Sequence, residues 1–223
     1  MKKFLAMLLS AALLCPAMAM AEDTIKIGIF EPMTGATAAG GSMEKEGFDL
    51  ANELYPDVLG KKIELVYGDN KSDRAEATLA AQSLVDKGVV AVLGSYGSGL
   101  SMAGGEVFAE NEIPALTATA TNPTITLDCE WYARICFIDP FQGTMLARYA
   151  VKNEYKKIAI MREKDSEYSV GLVKYFQDEI ATHDGYEVVA LCDFMNKDED
   201  FSALLGAVLD KKPDVIFTSV SYA

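Results

Sequence analysis

Two short hydroxyl-rich turns hold the residues best suited to gripping a small molecule. Gly94-Ser-Tyr-Gly-Ser-Gly99 interrupts the apolar run Val89 to Leu93, ahead of a helical pattern carrying Leu100, Ala103, Val107 and Phe108. Pro114 to Leu116 reads as a second short strand, and it ends in Thr117-Ala-Thr-Ala-Thr121. Neutral hydroxyls and oriented backbone amides can pair with a small charged ligand without the desolvation cost of burying a full countercharge. In an open parallel sheet such ligands collect at the carboxyl ends of strands, where helix N-termini present unpaired N–H groups to anions. Both turns fall at such ends. Ser98 also fits a helix N-cap, a role compatible with facing an incoming anion.

Other chemistries find few residues to work with. The first turn has the order G-x-x-G-x-G, not the G-x-G-x-x-G of dinucleotide sites. No G-x-S-x-G elbow occurs, and the single histidine, His183, follows a predicted helix, away from the strand ends. With no C-x-x-C motif, no metal centre or Cys/His nucleophile can be assembled, and no cofactor is expected. If Trp131 to Phe137 is one strand, Cys129 and Cys136 lie roughly 20 Å apart at ~3.3 Å per residue, beyond disulfide reach. Cys129, Cys136 and Cys192 are therefore expected as free, mostly buried thiols.

The chain opens like an export signal. Lys2 and Lys3 precede the apolar run Phe4 to Cys15, and Ala19-Met20-Ala21 is a small-x-small cleavage site before Glu22. The run is shorter than the roughly 20 residues that span a bilayer. Leu14 before Cys15 is too large for a lipidation site. The expectation is an exported, unanchored protein starting at Glu22. Losing Lys2 and Lys3 takes the formal net charge from −13 to −15. Scattered bases among so many acids exclude nucleic acid as a partner, and the acidity reads as a solvated surface.

The elements that must position the turns alternate. Strands are expected at Thr24 to Phe30, Lys62 to Tyr67, Trp131 to Phe137, Lys157 to Met161, Glu187 to Cys192 and Asp214 to Thr218, besides the two strands above. Between them lie helix faces at Met43, Gly47, Leu50 and Leu54; at Ala77, Ala81, Leu84 and Val85; over Tyr168 to Ala181; and over Phe201 to Leu209. Asp139-Pro140-Phe141-Gln142 has the form of a helix start, with Asp139 as N-cap and Gln142 closing a capping box. This order predicts an α/β fold with parallel sheets covered on both faces. A change of lobe is expected near Asp139.

These pieces, in this order and spacing, resemble the leucine/isoleucine/valine-type periplasmic binding proteins of ABC transporters over all of the chain after residue 21. The matching pieces are Ile25-Lys-Ile-Gly-Ile-Phe-Glu-Pro-Met-Thr-Gly35, Gly94 to Ser98, Thr117 to Pro123, Arg134 with Asp139 and Gln142-Gly143, Tyr168 with Gly171-Leu172, and Asp200-Phe201-Ser202. The resemblance implies a type I periplasmic binding protein fold with two Rossmann-like parallel-sheet lobes. It assigns 1–21 to a signal peptide, 22–138 to the first lobe and 139–223 to a second lobe that is incomplete. It also implies a periplasmic receptor, monomeric in full-length form, that passes an amino acid to permease subunits in the membrane. By position, Ser98 would take the ligand carboxylate, and Thr119, Ala120 and Thr121 the ammonium and carboxylate. Tyr168 would close from the second lobe, with Asp139, Ser221 and Tyr222 as possible further contacts. The chain departs from the pattern where relatives place an aromatic residue and it has Gly40, and where they place a second-lobe tyrosine and it has Ser221, followed by Tyr222. Relatives also continue well beyond residue 223, so a fragment or truncated product is expected. The alternatives are the ligand-sensing domain of a receptor and an exported hydrolase on a Rossmann-like sheet.

Overall fold

A computed structural model describes residues 24–127 and 129–220. The apolar strand β1 (Ile25–Glu31) lies inside a six-stranded sheet, between β3 (Lys61–Asp69) and β4 (Ala91–Gly94), and the sheet continues through β5 (Ala115–Thr117) to β6 (Tyr132–Arg134). All these pairings are parallel. The strand order reverses direction at β1, so a crevice opens outside the carboxyl ends of β1 and β4. Both hydroxyl-rich turns sit along that rim.

Helices α1 (Ala38–Leu54), α2 (Arg74–Asp86) and α3 (Ser98–Glu110) connect these strands. Asp73 starts α2 by accepting from the amides of Ala75 and Glu76 at 2.8 and 3.0 Å. Ala77, Ala81 and Leu84, spaced for one helix face, are fully buried in the first core. Phe30 of β1 meets Phe108 of α3 edge to face at 5.4 Å. Each such side chain contributes about 1.5–3 kcal/mol by leaving water.

A second, three-stranded parallel sheet follows, with β7 (Lys157–Glu163) between β8 (Glu187–Phe194) and β9 (Val215–Ser219). Helices α4 (Asp139–Lys152) and α5 (Glu167–Ile180) pack on it, burying Ala147, Ala150, Val173, Phe176 and Ile180 against Ile158 and Ile160. Phe176 stacks on Phe217 of β9 at 4.1 Å. The last helix, α6 (Ser202–Leu209), packs on β8.

The parallel α/β architecture is the expected one, and four local readings are corrected. First, β6 covers Tyr132–Arg134 rather than Trp131 to Phe137. Its partner β5 turns away after Thr117, which leaves Ile135 and Phe137 exposed. Second, a short strand β2 (Asp57–Val58) pairs antiparallel with β3 through a turn whose residues Leu59 and Gly60 both have positive φ. Leucine in a position that favours Asn or Asp concealed this hairpin. Third, Cys129, Cys136 and Cys192 are free but half-buried rather than mostly buried. Fourth, neither Ser98 nor Asp139 is a cap. Gly97, at φ 94°, precedes α3, and extended Ile138 precedes α4, so each side chain stands one residue inside its helix. Among the described residues no helix is long and apolar enough to cross a membrane.

Candidate functional site

A cleft of about 260 Å3 lies where the rim of the first sheet faces the second. Tyr96, Gly97 and Ser98 from the first turn and Thr119, Ala120 and Thr121 from the second form one wall; Phe137, Gln142, Tyr168 and Val220 complete it. The five residues expected at a site, Ser98, Thr119, Ala120, Thr121 and Tyr168, thus converge on one cavity. Ser221 and Tyr222 lie outside the described residues.

The first wall is held by the sheet beneath it. Gly94 has φ 116°, and a Cβ there would stand 2.0 Å from the Phe30 carbonyl oxygen, so only glycine lets the chain leave β4 this close to β1. Ser98 is 2% exposed, and its Oγ accepts the Asn122 N–H at 3.3 Å. Its own proton remains available to a ligand oxygen, beside the amides that begin α3. The second turn is pinned by Arg134, whose guanidinium donates to the carbonyls of Ala120 and Asn122 at 2.9 Å each and to Thr126 Oγ1 at 2.9 Å. Ala120 is therefore largely committed inside the protein: its N–H goes to Thr117 Oγ1 at 3.1 Å and its carbonyl to Arg134. The Cys136 thiol also donates to that carbonyl at 3.5 Å, so what Ala120 offers a ligand is its methyl group.

Thr121 is 6% exposed, and its hydroxyl lies beside the buried Asp139 carboxyl; the Asp139 N–H donates to the Thr121 carbonyl at 3.0 Å. Across from it, Gln142 Nε2 donates to the Tyr168 hydroxyl at 3.1 Å, which orients the phenol and leaves its proton free. Gln142 is thus a cleft residue and not half of a capping box. Asp139 is fully buried; burial pushes its pKa up to about 6, although the Thr121 hydroxyl beside it and the Arg134 charge pull it down. It sits where α5 approaches the second turn. A Cβ on Gly171 would lie 3.0 Å from Asn122 Nδ2 and 3.2 Å from Asp139 Oδ2.

Sequence reasoning missed Tyr96, Phe137 and Val220 as lining residues, and the acid pair Glu31 and Glu44 beneath the wall. Gly40 explains the first omission: a Cβ there would stand 2.5–2.7 Å from the Tyr96 ring, so the ring occupies the space that glycine vacates. Glu31 left a readable signal, a carboxylate closing the apolar strand Ile25–Phe30. Burial and the neighbouring Glu44 push its pKa up to about 10. Glu44 is also raised by burial, while Thr119 and Glu31 hydrogen bonds pull it back.

A sequence profile of the periplasmic binding protein family matches residues 24–222. The chain belongs to that family. This binding protein is 32% identical over 204 residues to the Leu/Ile/Val-binding protein BraC3 of Rhizobium johnstonii, covering 89% of this chain and 55% of BraC3. It is similar to the crystal structure of a leucine-binding protein, LivK, of Thermotoga maritima, with TM-score 0.83 and 36% identity over 87% of this chain and 55% of that one. It also resembles LivJ of Streptococcus pneumoniae in complex with isoleucine, with TM-score 0.81 and 32% identity over 87% and 56% of the two chains. A solute-binding protein of Rhodopseudomonas palustris, solved with 3,4-dihydroxybenzoic acid, matches with TM-score 0.81 and 26% identity over 89% and 55%. The binding protein described here spans about half the length of the relatives it matches.

Proposed function

We propose that this chain is the extracytoplasmic solute-binding component of an ABC importer. It holds an amino acid or a similar small carboxylate between lobes at residues 22–138 and 139–223 and delivers it to permease subunits in the membrane. Its role is binding and not catalysis. The observation that carries this reading is the convergence of Ser98, Thr119, Thr121 and Tyr168 on one cleft, where Ser98 and Tyr168 each accept a hydrogen bond and keep a proton to donate. A carboxylate oxygen accepting one of those protons would form a hydrogen bond to a charged group, about 1.5–3 kcal/mol. The names of the relatives that bind leucine, isoleucine and valine support the same class of ligand. Export fits the basic, apolar leader, with Glu22 as first residue of the mature protein.

The aromatic lining favours a second ligand class within the same reading. Tyr96, Phe137 and Tyr168 line the cleft with rings that suit a benzoate, and one similar protein was solved with a hydroxylated benzoic acid. Calorimetric titration of the 223-residue chain with the proteinogenic amino acids and with benzoates tests both. Saturable binding of one class is expected, and no binding of either would refute the receptor reading.

A further inference from the structure

Beneath the wall of the cleft lies a hydrogen-bond relay that the proposed ligand contacts leave unexplained. The Thr119 hydroxyl donates to Glu44 Oε1 on α1. Glu31, fully buried at the end of β1, accepts the Tyr96 N–H on Oε2 at 2.7 Å. The two carboxyl groups are within hydrogen-bonding reach of one another, and Glu31 Oε1 and Glu44 Oε2 are the oxygens left without a partner. Two carboxylates in such contact cannot both ionise cheaply. One proton between them satisfies both orphaned oxygens.

Burial decides where that proton sits. Glu31 is sealed from solvent, while Glu44 is half-buried and already takes the Thr119 proton, so Glu31 is the acid and Glu44 the carboxylate. The other titratable groups facing the pair are the Tyr132 phenol, which donates to the Gly94 carbonyl at 2.6 Å, and the Cys136 thiol, whose pKa burial raises. Both are neutral. With its single proton committed to Glu44, Thr119 can only accept from the cleft. Ser98 has the opposite polarity, because it accepts from Asn122 and keeps its proton. The cleft therefore has a donor end and an acceptor end, with a negative charge behind the acceptor.

We propose that Glu44, backed by the buried Glu31, is a positioning residue that makes the Thr119 hydroxyl an obligatory acceptor, so that the site selects ligands carrying an amine beside their carboxylate. This rests on the receptor reading above and narrows its ligand class to amino acids. The test compares L-leucine with 4-methylpentanoate, and L-phenylalanine with 3-phenylpropanoate, by calorimetry on the 223-residue chain. The amine-bearing member of a pair should bind at least about tenfold more tightly, the effect of one charged hydrogen bond. Thr119→Val and Glu44→Met should bring the ratio towards one, and Glu44→Gln, which keeps an acceptor for Thr119, should retain most of it. Equal affinity for both members in the wild type, or a preference that both Thr119→Val and Glu44→Met leave intact, overturns the proposal alone. A wild type that binds neither member overturns the receptor reading and the selectivity with it. Carboxyl carbon NMR reads the relay without ligand: at pH 7 Glu31 should be protonated and Glu44 ionised, and finding both ionised overturns the proposal even if Glu44→Met fails to fold.

Discussion

Hydroxyl geometry at two residues carries most of the binding argument, because Ser98 and Thr121 are both buried against the cleft and each has hydrogen-bonding capacity to spare. Ser98→Ala and Thr121→Ala should each weaken binding by about 1–3 kcal/mol, roughly 5- to 150-fold, by calorimetric titration. Wild-type affinity in both variants would mean that the ligand sits elsewhere. Glu31 yields a separate stability prediction. Its folded pKa of about 10 lies above the ordinary 4.5, so its full contribution is present below pH 4.5. As pH rises, the unfolded chain ionises while the folded one stays protonated, and stability falls progressively towards the folded value. Glu31→Gln should therefore gain stability relative to wild type between about pH 5 and 9 in denaturant titrations. Parallel curves for the two proteins would contradict a protonated Glu31.

Helix packing makes opposite demands on two glycines inside helices. In α4, a Cβ on Gly143 would lie 2.8 Å from both the Phe176 backbone nitrogen and Tyr175 Cβ, so α4 and α5 are in backbone contact at that point. Gly47 in α1 has nothing within 4 Å of the same construction. Gly143→Ala should destabilise by about 1–3 kcal/mol through overpacking, more than the gain of up to ~1 kcal/mol from helix propensity. Gly47→Ala should show only that gain. Urea unfolding of the two variants checks both signs. The strands that present the turns were legible as short apolar runs ending in Gly or Thr. The two helix starts were misread because Ser98 and Asp139 have cap chemistry, and only the backbone path, with Gly97 and Ile138 outside the helices, shows that their side chains face inward.

Two contacts tie the sheets together on one side of the cleft. Arg74 at the start of α2 pairs with Glu167 at the start of α5, and Asn122 Nδ2 donates to the Glu167 carbonyl at 3.0 Å. The Arg74 side chain is 57% exposed, so the pair is screened and contributes at most about 1 kcal/mol. A bias of that size still changes the ratio of closed to open forms roughly fivefold, which suits a reversible clasp. Arg74→Ala should broaden the small-angle scattering profile towards an open form with little change in the unfolding midpoint, and high salt should do the same to the wild type. An unaltered profile under both treatments would show that the clasp does not govern closure.

The sequence by itself determined the alternation of strands and helices, the parallel sheets and the placement of Ser98, Thr119, Thr121 and Tyr168 as candidates. Periodicity and turn chemistry are local properties, written into adjacent residues. Only the tertiary structure decided the length of β6, the burial of Asp139 beside Thr121, the Tyr96 ring over Gly40 and the burial of Glu31 next to Glu44. Each of these depends on what packs against a residue from a separate element. Such neighbours set desolvation and free space, and no pattern along the chain records either.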